Sequence, residues 1–188
     1  METTRDKLIN ATFDEVFSHG YQGASLSDIL AKAGVHKGSM YHFFANKKEM
    51  ALAAIEETVL NRNIEKYRYV ETYTGGLLEE FYTRLRDTSE RDFKRGCPIA
   101  NIVQEMSNID EEFNVLMQSI YGEFRSNVKA IFDKAVTVGE MKPCDTTKLA
   151  LFTTSTIEGA ILSAKATGNA QDYVDVIEEL ITHIEGKR

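Results

Sequence analysis

Only two of the 188 residues, Pro98 and Pro143, are prolines. Proline removes an internal helical hydrogen bond and clashes with the turn before it, so its scarcity leaves nearly the whole chain free to be helical. The apolar residues use that freedom. Ile9, Phe13, Val16 and Phe17 recur at i, i+4, i+7 and i+8, which predicts a first helix from Thr4 to His19, closed by Gly20. A long helix is expected from Lys47 to about Tyr69 through Met50, Ala54, Ile55 and Val59. After Gly75-Gly76, Leu77, Leu78, Phe81, Tyr82 and Leu85 mark another, and Pro98 is placed to start one through Ile99, Ile102, Val103 and Met106. A helix starting at Asn108 or Asp110 keeps its spacing from Phe113 to Ala135 before Gly139 ends it. Asp145 can cap a helix to about Ala166, and the last runs from Gln171 to Glu185. The expected fold class is all-α.

The stretch Ala24 to Glu49 departs from this scale. Leu26, Ile29, Leu30 and Ala33 give a short helix with one apolar face, which starts at Ser25 or Ser27 and ends at Gly34. A second short helix begins near His36 or Lys37, with Met40 and Phe44 pointing inward. Its other face carries Lys37, Gly38, Ser39, Tyr41 and His42: a cation, a hydroxyl, a phenol, an imidazole and a glycine that lets a backbone come close. A core would not select that set. It suits a helix laid against nucleic acid, where cations and hydroxyls meet phosphates and the helix N-terminus reaches base edges.

The run from Asp28 to Met50 resembles the helix-turn-helix of the TetR family of transcriptional regulators, whose usual reading is close to D-I-A-x-x-A-G-V-S-K-G-x-L-Y-x-H-F-x-x-K-x-x-L. Asp28, Ile29, Ala33, Gly34, Val35, Lys37, Gly38, Tyr41, Phe44 and Lys47 fall in register. Leu30 replaces the usual small residue, His36 a capping Ser, and Phe43 a common His. The resemblance implies a three-helix head over residues 1–46 and a helical ligand-binding and dimerisation domain over 47–188, with the helix from Lys47 as a lever between them. It also implies a homodimer on an inverted-repeat operator in double-stranded DNA, released by a small-molecule effector or an electrophile. Ser27, His36, Lys37, Gly38, Ser39, Tyr41, His42 and Lys47 are the expected DNA-facing residues.

A formal net charge of −7 does not suit a general nucleic-acid binder, but its distribution matters more. Residues 1–50 balance six Lys or Arg against six Asp or Glu, and from Lys32 to Lys48 there are four lysines, two histidines and no acid. A local basic patch on an acidic body limits non-specific DNA binding. Two cysteines, and no apolar run of the roughly 18 residues a membrane span needs, lead us to expect a cytoplasmic protein in a reducing compartment with no membrane partner.

Between Leu149 and Ala164 the only charge is Glu158, and apolar residues occupy every side. This helix and the next, with its seam Tyr173, Val174, Ile177, Leu180, Ile181 and Ile184, read as a dimer interface. Buried there, Glu158 needs a partner or a proton, and it reads as a hydrogen-bonded structural acid, an interface contact or a ligand contact. Cys97 falls at a helix N-terminus behind Arg91, Lys94 and Arg95, where a thiolate is favoured, although free cysteines are more often inert core residues. Gly96, Cys97 and Glu105 also look like the electrophile- and oxidant-sensing branch of the same family, and Cys144 is a candidate resolving thiol. Phe81, Tyr121, Phe124 and Phe152 are candidates to line an effector pocket. The rival readings are an enzyme with Cys97 as nucleophile and a carrier of apolar ligands. The first lacks an obvious base, since His19, His36 and His42 lie in the head and His183 in the last helix. The second leaves Lys37, Tyr41 and His42 without a purpose. No metal-ligand cluster or phosphate loop stands out, so no cofactor or metal is expected.

Overall fold

A computed structural model describes residues 2–73 and 75–188, with the side chains of Leu60, Asn63 and Ile64 outside the description. The described residues form helices only: α1 (Thr4–Gly23), α2 (Leu26–Ala33), α3 (Lys37–Met40), α4 (Lys47–Tyr67), α5 (Tyr69–Thr72), α6 (Leu77–Arg86), α7 (Pro98–Met106), α8 (Glu111–Thr137), α9 (Thr146–Thr167) and α10 (Gln171–Glu185). The all-α expectation holds. No helix among them is long and apolar enough to cross a membrane.

Local chemistry accounts for most of the boundaries. Thr3 and Asp6 form a reciprocal capping box at the start of α1. Ser25 caps α2 by accepting from the Asp28 amide, and Gly34 ends that helix in the left-handed region at φ 64°. Asp110 accepts from the amides of Glu112 and Phe113 before α8, and Asp145 accepts from the Lys148 amide before α9. Pro98 is the first residue of α7, which leaves Cys97 just outside it. Two boundaries differ from those the sequence predicts. The helix from Lys47 stops at Tyr67, and the separate turn α5 follows it. Gly20 does not terminate α1 but breaks it, at φ 76° and ψ 166°, and one further turn continues to Gly23.

Packing divides the chain differently from a single cut after residue 46. One compact unit combines Met1–Asn63 with Pro98–Ile120, and the other combines Ile64–Cys97 with Tyr121–Arg188. The first is built on Leu8, Ile29, Met40, Met50, Phe113 and Met117, so α7 and the start of α8 share a core with the three-helix head. That head alone is too small to bury an apolar interior, and the added helices close it.

The second unit centres on Tyr82, Phe132, Tyr173 and Leu78, with α6, α9 and α10 packed on the latter part of α8. The Tyr173 hydroxyl donates to the Leu85 carbonyl at 2.8 Å, which satisfies the polar end of a fully buried ring. Glu140, just past α8, accepts from the amides of Leu77 and Leu78 at 3.0 and 3.1 Å and caps α6 from 62 residues away in sequence.

Burial works against the charged form of Glu140, but the amides of Leu77, Leu78 and Gly76 outweigh it and hold the carboxyl below its ordinary 4.5. Its stabilising contribution is therefore present above that value and lost as pH falls through the lower folded one. Glu140→Gln should cost about 1.5 to 3 kcal/mol of stability near neutral pH, as expected for a hydrogen bond to a charged group. Thermal unfolding from pH 7 down to pH 3 should show the wild-type advantage shrinking with acid.

Candidate DNA interface and effector site

The α3 face is exposed as its composition requires. Met40 and Phe44 are buried, while His36, Lys37, Gly38 and His42 are exposed, Ser39 is half-exposed and Tyr41 is 53% exposed. His36 takes the N-cap position without a side-chain hydrogen bond, so its imidazole faces outward. A Cβ built on Gly38 meets nothing within 4 Å, which leaves its backbone open to close approach. Ser27 is exposed beside Ser25, their hydroxyls 2.9 Å apart. Phe43, which in the sequence stands out only as a departure from pattern, is also exposed, at 42%.

The basic patch is less cationic than the sequence implies. Lys32 pairs with Asp14 and Glu15, and Lys48 pairs with Asp110 and Glu112 at 2.6 Å each. Those acids come from outside the run between Lys32 and Lys48, so counting along the chain could not find them. Lys47 is expected from the sequence to add charge against phosphate, but the structure gives its ammonium an internal task. It donates to the carbonyls of Tyr21 and Ala24 at 2.7 and 2.8 Å, and it lies 4.3 Å from the centre of the Tyr21 ring. Burial lowers its pKa from the ordinary lysine value, against the pull of Glu105. Among the described residues, Lys37 has no carboxylate partner of this kind.

In the other unit, Cys97, Glu158 and Tyr121 come together. The Cys97 thiol donates to Glu158 Oε1 at 3.4 Å, and Glu158 Oε2 is buried with no hydrogen-bond partner in the protein. Burial raises the Glu158 pKa above the ordinary carboxylate value, opposed by the Cys97 hydrogen bond and by the charges of Lys66 and Arg91. Lys66 keeps solvent contact as a residue, yet protein crowds its ammonium and pushes it down to about 8, with Arg91 adding repulsion and Cys97 and Glu158 pulling the other way. Burial, then Glu158 and Cys97, raise the Tyr121 phenol. Arg91 lies 4.5 Å from the centre of the Tyr173 ring. Periodicity misses Lys66 because the end of α4 reads as a solvated charged run.

The four aromatics do not form one lining. Phe124 is buried against Tyr67, the residue after Lys66, with ring centres 6.4 Å apart. Phe81 is a core residue, edge-on to Phe132 at 5.9 Å. Phe152 lies on the outer side of α9, 47% exposed, with its ring 4.9 Å from that of His183. Cys144 is exposed near the α9 N-terminus, and Glu158 is twelve residues into that helix, about 18 Å along its axis. Neither cysteine is in a disulfide: the Cys97 thiol meets Glu158, and the Cys144 thiol lies 3.7 Å from the Met141 sulfur. No group of metal-binding side chains occurs among the described residues.

The family model for bacterial regulatory proteins of the tetR family matches residues 8–54, which span α2 and α3, and the model for a tetracyclin repressor-like C-terminal domain matches residues 77–180. The chain belongs to the TetR family of transcriptional regulators. Its relatives in that family are regulators rather than enzymes. It is 30% identical to the transcriptional regulator AcuR of Cereibacter sphaeroides over 164 residues, covering 84% of this chain and 74% of that protein. It superposes on a TetR-family regulator from Cytophaga hutchinsonii with TM-score 0.85 at 26% identity, covering 98% of this chain and 94% of that one. The reduced form of Escherichia coli NemR superposes with TM-score 0.87 at 18% identity, covering 97% of each chain, a likeness of fold alone.

The two lysines should separate in their salt dependence. Lys37→Ala should weaken binding to all DNA sequences and reduce the slope of log K against log salt by about one for each phosphate it no longer neutralises. Lys47→Ala should lower thermal stability and DNA affinity while leaving that slope intact. A salt titration of both variants by fluorescence anisotropy checks this.

Proposed function

We propose that the chain is a homodimeric repressor that binds an inverted-repeat operator through α3 and is released by an electrophile received at Cys97. The exposed α3 face supports the DNA part: Lys37, Ser39, Tyr41 and His42 meet phosphates, and His36 with Gly38 approaches base edges. The outer side of α9 supports the dimer. Leu151, Phe152 and Leu162 are 45, 47 and 52% exposed there, and Gly159 between them has open space above it. A partner's equivalent face would cover them, giving a two-fold axis and half-sites spaced by a multiple of about 34 Å. Leu162→Glu should convert the dimer to monomer in sedimentation equilibrium and weaken operator binding at least tenfold. A wild-type footprint covering one half-site only would overturn the reading.

The observation that carries the effector part is the pairing of the Cys97 thiol with a carboxylate raised by burial. With an α,β-unsaturated carbonyl compound, the sulfur would bond to the β-carbon as the thiol proton passes to Glu158. The π pair would move to the carbonyl oxygen, and the enolate would take a proton at its α-carbon, leaving a thioether. An effector can release DNA only by favouring a dimer whose recognition helices no longer match the groove spacing. Methyl vinyl ketone should therefore lower DNA affinity and add one adduct mass at Cys97 in the wild type, and do neither at that position in Cys97→Ser. A normal response in Cys97→Ser would favour the second reading, a reversible ligand that donates to the unpaired Glu158 Oε2.

A further inference from the structure

The α1–α2 junction is held by three residues far from it in sequence. The break at Gly20 takes the following amides out of the α1 ladder, and both oxygens of Glu105 in α7 take them up, accepting from Tyr21 N at 2.9 Å and Gln22 N at 2.8 Å. Lys47 serves the same segment from the opposite polarity through the carbonyls of Tyr21 and Ala24. The Tyr21 ring packs against Phe113 of α8 with centres 4.6 Å apart. A Cβ on Gly20 would lie 2.6 Å from Glu105 Oε2, and the backbone there is in a region that only glycine occupies freely. The residue that follows Ala24 is Ser25, the N-cap of α2, so the placement of this junction fixes the start of the helix-turn-helix.

We infer that Glu105 is a positioning residue for DNA binding: its carboxylate, gripping the backbone after Gly20, sets where α2 and α3 stand. The inference rests on the DNA-binding reading. α7 begins directly after Cys97, so the helix that leaves the effector cluster is the one that carries the grip.

Glu105→Gln keeps one acceptor but turns a donor toward the second amide. The sign of its effect discriminates. Removing a negative charge from an acidic protein, acting through the field alone, tightens DNA binding. Loss of positioning weakens it. The probe is a DNA fragment obtained by random-site selection with the wild-type full-length protein, so wild-type binding is established before the variants are compared. Glu105→Gln should bind it at least tenfold more weakly with an unchanged salt slope, and hydrogen exchange should accelerate at the Tyr21 and Gln22 amides. Glu105→Asp, which still reaches one amide with a full charge, should recover part of the loss. Gly20→Ala, which forces the carboxylate aside, should mimic Glu105→Gln, and the double variant should be no weaker than either alone. Equal or tighter binding by Glu105→Gln overturns the inference, as does a loss of affinity fully accounted for by a smaller folded fraction in circular dichroism.

Discussion

Every helix start leaves amides without partners, and much of this structure depends on side chains that reach across the sequence to satisfy them. Local caps serve α1, α2, α8 and α9, where Thr3, Ser25, Asp110 and Asp145 lie beside the helices they close. Two starts are served from afar. Glu105 closes the turn after Gly20, and Glu140 closes α6. Each couples a hydrogen bond to a tertiary contact, so local order at that point requires the packed unit around it. Where such an amide is part-buried, as at Tyr21, Leu77 and Leu78, leaving it uncapped would cost more than the bond is worth in water, because burial removes the alternative partner.

The charges follow a comparable division of labour. Of the lysines around the helix-turn-helix, Lys32 and Lys48 are neutralised by acids and Lys47 is committed to backbone carbonyls. What remains on the outer face is a short mixed surface of Lys37, Ser39, Tyr41 and His42, suited to hydrogen bonding as much as to attraction at a distance. Laid against DNA, a surface of this kind on an acidic chain would discriminate by fit.

Much of this is legible in the sequence. The helical spacing, the caps at Ser25, Asp110 and Asp145, the turn at Gly34 and the inward Met40 and Phe44 are local, and local chemistry decides them. The aromatics are harder: Phe81, Phe124 and Phe152 share the same spacing signal, yet the first two belong to the core and the third is exposed. Periodicity states that a residue faces something, and the partner is a tertiary fact. Lys66 escapes for the same reason, as one charge in a solvated run, while Lys47 and Glu105 stand out in the sequence for phosphate and for the cysteine motif and are given backbone partners 23 to 84 residues away by the fold.

The placement of the two thiols bears on how long a chemical insult would be remembered. A protein with a resolving cysteine at hand can fold an oxidised sulfur into an internal disulfide and wait for reduction. Here the Cys97 thiol faces Glu158 and that of Cys144 faces Met141, so a sulfenic acid formed at Cys97 with both in place would be met by a thiol from outside the chain or proceed up the oxidation ladder to forms that most cells cannot reverse. The lifetime of a molecule modified there would then be set by the surrounding thiol pool and by turnover of the protein itself.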